Sequence, residues 1–148
     1  MFSSIVVAVD GSPSSLHALG EAIDLAHAQN ATLTIMAVAP PVPPLVPVAG
    51  ADPRAIQESA GQWGTDILAD AVAGVPDDVE VHTVLRTGHP AHEIVQELAT
   101  GNYDLIVLGS RGRGAARSGI GGSVNGAVHF HTHISMLSIP VPGEQRAH

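Results

Sequence analysis

Short apolar runs alternate along this chain with stretches whose apolar residues recur at helical spacing, and few folds satisfy that alternation. The first run, Ser4-Ile5-Val6-Val7-Ala8-Val9, is continuous and ends at Asp10-Gly11-Ser12-Pro13. A run apolar on both of its faces reads as a strand buried on both sides, as in a parallel sheet. Ser12 followed by Pro13 is a helix start: a capping hydroxyl, then a proline where no amide is needed. Leu16, Leu19, Ile23 and Ala26 follow at helical spacing. Residues 33–38 form a second run. Asp52-Pro53 opens a second helix with the stripe Ile56, Ala60, Trp63, Ile67 and Ala71, ended by Gly74 and Pro76.

The third run differs. Val79, Val81, Thr83 and Leu85 alternate with Glu80, His82, Val84 and Arg86, which suggests an edge strand with one wetter face. Pro90 opens a helix carrying Ile94, Val95 and Leu98, and Gly101 closes it. Leu105-Ile106-Val107-Leu108 is a fourth strand. Val124, Ala127, Val128 and His131 mark a last helix, and residues 134–139 a fifth strand stopped by Pro140. The order βαβαβαβαβ implies an α/β fold with a mostly parallel, doubly wound sheet and helices on both faces. Ligands bind such sheets beyond the carboxyl ends of the strands, where the winding reverses. A length of 148 residues suits one domain spanning residues 1–148.

Composition narrows the chemistry. There is no cysteine, so disulfides and thiolate sites are excluded. No basic, cleavable leader is evident at the start and no apolar run has the length of a membrane span, so a cytoplasmic protein without membrane partners is expected. All six basic residues are Arg. Three of them, Arg111, Arg113 and Arg117, lie within seven positions, and no acid occurs from residue 105 to 143. Residues 1–104 carry 13 acids against Arg54 and Arg86. An acidic chain with one local basic segment fits a small anion held at one place better than nucleic acid.

Seven of the 16 glycines occur in that segment: Gly109, Gly112, Gly114, Gly119, Gly121, Gly122 and Gly126. They follow a buried strand and lead into a helix. Glycine lets backbone amides turn toward an anion with no Cβ in the way. The helix adds its free amides and the positive end of its dipole, and Ser123 adds a hydroxyl. This is a phosphate site built mainly from backbone. It is not a P-loop, since the chain has no lysine, nor a dinucleotide fingerprint, which would follow the first strand.

The spacing Gly109-x2-Gly112-x9-Gly122-Ser123 resembles the nucleotide motif of the universal stress protein family. Val6-Val7-Ala8-Val9-Asp10-Gly11-Ser12, Gly88-His89-Pro90 and Asp104-Leu105-Ile106-Val107-Leu108-Gly109 look like that family's other landmarks, in the same order, so the resemblance covers essentially the whole chain. It implies a strand order 3-2-1-4-5 and a homodimer, often joined through the fifth strands. It implies ATP as ligand, with or without Mg or Mn. In ATP-binding members Asp10 would lie on the adenosine side with Ala8 near the base, and Val38 would read adenine through backbone. Gly109 and Gly112 would contact ribose and phosphate. Gly122, Ser123 and Val124 would form the triphosphate turn. Asn125 stands where the family usually has Ser or Thr, and can still donate a hydrogen bond. Residues 129–134 depart from the usual small residue and proline before the last strand. Ser135-Met136-Leu137-Ser138 is more polar than the usual valine-rich edge.

Three functions remain open at this level. One is an ATP-binding regulatory or stress-response protein acting on an unknown protein partner. The second is a slow ATPase or phosphotransferase. The third is a nucleotide-free dimeric interaction module. The intact glycine motif disfavours the third, and the lack of acids from residue 105 to 143 disfavours the second. His129, His131 and His133 straddle a helix end, where three imidazoles need not converge on a metal. Residues 40–53, with six prolines, form neither helix nor central strand and are expected to be a lid over the base or a plain surface loop.

Overall fold

The computed structural model describes residues 1–41, 52–110 and 121–141, with residues 53 and 121–123 described by their backbone alone. Nine elements alternate: β1 (Ser4–Ala8), α1 (Pro13–Gln29), β2 (Thr32–Ala39), α2 (Pro53–Ala73), β3 (Val81–Thr87), α3 (Pro90–Thr100), β4 (Leu105–Gly109), α4 (Gly121–His131) and β5 (Ser135–Ile139). The five strands form one sheet in the order β3-β2-β1-β4-β5, every pair parallel. β3 is an edge strand, as its alternation suggests.

Helices cover both faces because the chain reverses its direction of winding at β1. The first face carries Ile5, Val7, Leu33, Ile35, Leu105 and Val107 against Ala18, Leu19 and Ala22 of α1 and Leu68 and Ala71 of α2. The second carries Val6, Met36, Ile106 and Leu108 against Ile94 and Leu98 of α3 and Val128 of α4. Ile5, Val6 and Val7 have no exposed surface, so the central strand is apolar at consecutive positions for a physical reason. Each such side chain contributes about 1.5–3 kcal/mol of burial.

The starts of α1 and α2 follow the sequence signals. Ser12 caps α1 through its side chain, which accepts the Ser15 amide at 3.2 Å, and Pro13 takes the first helical position. Asp52 caps α2 through the Arg54 amide at 3.0 Å. The end of α1 is Asn30, in the left-handed conformation at φ 53°. The expected stripe of α1 needs correction at its start. Leu16 is 53% exposed, whereas Ser14 and Ser15 are buried. Two small hydroxyl residues occupy the sheet-facing side of this first turn because the helix comes too close to the strands there for a leucine.

Two polar ties hold the layers in register. Asp104, just before β4, accepts the amides of Ser3 and Ser4 at 3.0 and 2.9 Å, fastening the start of β1 to the start of β4. Burial works against the Asp104 carboxylate, but these amide bonds outweigh it and hold its pKa below the usual value. Tyr103 folds back on α3 and donates its hydroxyl to Glu97 at 2.8 Å. Gly101 makes this possible, since a Cβ there would run into the Tyr103 ring.

Burial, then the bond to Glu97, pushes the Tyr103 hydroxyl up to about 12. The folded chain therefore holds this proton more tightly than the unfolded chain, whose tyrosine titrates near the ordinary value of 10.0. Stability from this group is intact below about pH 10 and is lost as pH rises toward about 12. Tyr103 is the single tyrosine, so phenolate absorbance reports it alone. Titration of the native chain should give a midpoint well above that in urea. The fall in urea midpoint across this range should be reduced in Tyr103→Phe.

Candidate functional site

In a parallel sheet each helix runs back from the carboxyl end of the strand before it, so α1 and α4 both begin at the carboxyl edge of the sheet. The winding reverses between β1 and β4, the point beyond which sheets of this kind bind ligands. Most of the residues expected to bind ligand gather along this edge. Ala8 ends β1 and Val38 lies one residue before the end of β2. Both are half-buried and pack against the core on the α3–α4 face. Asp10 follows β1. Its Oδ1 accepts the Ser12 amide at 2.9 Å, and its own amide donates to Ser15 Oγ at 3.2 Å. The carboxylate thus builds the turn that starts α1, and Gly11 at φ 80° completes that turn.

Gly109 is the last residue of β4, paired with Ile139 of β5, rather than the first residue of a loop. Its lack of a side chain has a purpose independent of any ligand. A Cβ there would collide with Ser14 Oγ and lie 2.7 and 2.8 Å from the Ser14 backbone carbon and oxygen. The first turn of α1 therefore packs directly on the end of β4.

Val124 and Asn125 lie in the first turns of α4, both half-buried. The Asn125 amide is directed toward β5, with Nδ2 3.4 Å from Ser138 Oγ. Asn125 Oδ1 is buried without a hydrogen-bond partner among the described residues. Gly122 and Ser123 are helical in backbone, within α4, where early amides have no intrahelical acceptor and can serve an anion. Gly112 and the three clustered arginines lie outside the described residues, as does most of the proline-rich segment. Among the described residues no group of three or more His, Asp or Glu could hold a metal ion. The edge thus offers an apolar shelf at Ala8 and Val38, a carboxylate at Asp10, and helix amides at α4. A planar apolar group and an anion could be held at its two ends.

Sequence reasoning missed one assembly beside this edge. Arg86, the register partner of Val38, bonds Glu93 Oε2 at 3.3 Å and Glu97 Oε2 at 2.8 Å. The bond to Glu97 is the largest influence raising the Arg86 pKa. Glu93 and Glu97 at helical spacing after a strand-borne arginine was the available signal, but it looks the same as an ordinary solvated helix face.

Gly109→Ala should destabilise the ligand-free protein by about 1–3 kcal/mol, the cost of forcing atoms into a packed site. Chemical denaturation without nucleotide measures this. Unchanged stability would return Gly109 to a purely ligand-binding role.

Comparison with known proteins agrees with the architecture. Residues 1–140 match the Universal stress protein family. Universal stress protein YxiE of Bacillus subtilis is 32% identical over 133 residues, spanning 84% of this chain and 90% of that one. A universal stress protein family structure from Burkholderia pseudomallei superposes with a TM-score of 0.73 at 26% identity, covering 93% of this chain and 96% of that chain. A universal stress protein solved in complex with cAMP superposes with a TM-score of 0.57 at 26% identity, covering 93% and 96% of the two chains. With the strand order, the two-faced helix cover and a family match over nearly the whole length, this chain belongs to the universal stress protein family.

Proposed function

We propose that residues 1–148 form one ATP-binding domain with a regulatory, stress-response role, and that the nucleotide lies across the carboxyl edge from β2 to α4. The observation that carries this reading is the start of α4 at the carboxyl edge of the reversal point, preceded in sequence by a glycine-rich, acid-free stretch. Backbone amides there would take the phosphates through Gly122, Ser123 and Val124, with Gly112 and Asn125 beside them. Ala8 and Val38 would face the base, and Asp10 the ribose. The related cAMP complex supports an adenine nucleotide as the class of ligand. Mg or Mn would accompany the phosphates. The described residues offer no ready cation cluster, so the metal would be held by the nucleotide and water first.

Binding is favoured over catalysis on chemical grounds. Hydrolysis needs a group that orients or deprotonates water near the γ-phosphate. No acid occurs from residue 105 to 143, and the Asp10 carboxylate is engaged by the Ser12 amide. A slow ATPase is the second reading. We further propose a homodimer through β5, where Leu137 is 38% exposed on an edge strand, and action in the cytoplasm on a protein partner.

ATP should bind at least about 10-fold more tightly than GTP, because backbone groups at Val38 would meet the adenine edge and leave guanine groups unpaired. Calorimetric titration with both nucleotides measures this, and equal affinities would remove the base site from β2. Gly122→Val should abolish ATP binding with the circular dichroism spectrum unchanged. A folded variant that binds ATP normally would displace the triphosphate turn from the start of α4.

A further inference from the structure

Arg86 projects from the carboxyl end of β3 toward α3, and among the described residues its bonds are to α3 rather than to α4. Its guanidinium binds Glu93 and Glu97, whose side chains are only 16% and 13% exposed. Glu97 also accepts the Tyr103 hydroxyl, so Arg86, Glu93, Glu97 and Tyr103 are locked together. The assembly then reaches β2 by a second route. Two residues beyond Arg86, the Gly88 amide donates to the Ala39 carbonyl at 3.0 Å. Gly88 has φ 147°, and a Cβ there would lie 2.9 Å from Glu93 Cγ. Glu93 therefore supports from below the turn whose amide holds Ala39, the residue next to Val38.

We infer that Arg86, clamped by Glu93 and Glu97, is a positioning residue that fixes the Val38–Ala39 backbone and so sets base selectivity at this end of the carboxyl edge. The inference rests on the ATP reading above. Two physical effects combine. The first is geometric: hydrogen-bond readout by backbone demands that the strand end be held still, since a displaced donor or acceptor leaves its partner on the base edge unpaired. The second is electrostatic. One guanidinium against two carboxylates leaves the β3 end net negative, which disfavours phosphates there and directs them toward α4. An unclamped Arg86 would offer the triphosphate a competing cation at the wrong end.

The test compares ATP and GTP binding by calorimetry in the wild type, in Arg86→Met, and in the triple variant Arg86→Met/Glu93→Gln/Glu97→Gln. The triple variant removes the carboxylates that Arg86→Met would leave uncompensated, and carries the test if the single variant does not fold. Both variants, when folded, should lose about 10-fold or more in ATP affinity while GTP affinity moves less than about 2-fold, so discrimination collapses. Arg86→Lys should not restore it, because an ammonium cannot reach two carboxylates in a planar fork. Parallel loss for both nucleotides would show a merely structural role and overturn the inference. So would wild-type selectivity in a folded variant. A wild-type chain that binds neither nucleotide would overturn the ATP reading itself, and the clamp's role with it.

Discussion

The first turn of α1 sits against the last residue of β4 with no room for a side chain between them. That contact, Ser14 on Gly109, fixes where α1 begins relative to the sheet. The cap at Ser12, the Asp10–Ser12 bond and the Asp10–Ser15 bond all belong to the turn it positions. The same contact brings the carboxyl ends of β1 and β4 under one helix. Ser14 is buried for this reason, although serine seldom is.

The sequence made the layers legible because strand burial is two-sided and leaves an unbroken apolar signature. Ile5, Val6 and Val7 could be assigned to a central parallel strand before any coordinates, and β3 to an edge from its alternation. The strand order came from family resemblance rather than from the residues, since alternation alone leaves several doubly wound orders open. Where reasoning failed, local apolarity misled it. Leu16 looks like a core residue, yet the helix face it occupies is turned to solvent, and the hidden positions belong to serines. Gly109 was recognised, but its packing role was not, because a close approach between residues 14 and 109 leaves no mark in either segment.

The candidate site was legible in proportion to how much of it is local. The glycine run preceding α4 is contiguous and announces an anion site by composition. Arg86, Glu93, Glu97 and Tyr103 are scattered among ordinary surface letters, and only the return of α3 along the sheet after the turn at Gly88 brings them together. Charge follows a similar division. The acids fill the first 104 residues and are absent from residue 105 to 143, where phosphates would lie.

The tie between Asp104 and the amides of Ser3 and Ser4 joins positions 100 and 101 residues apart. β1 pairs with β2 across the first crossover, but the α1–α2 face also takes Leu105 and Val107 of β4 and Ile139 of β5, so it is completed only when the second half of the chain arrives. The other face, with Val6 and Met36 at its centre, has no cover until α3 and α4 exist. On the ribosome, the N-terminal half therefore waits with one apolar face bare until the second half emerges. Contacts 100 and 101 residues apart close slowly, and until they form the uncovered apolar face is open to aggregation.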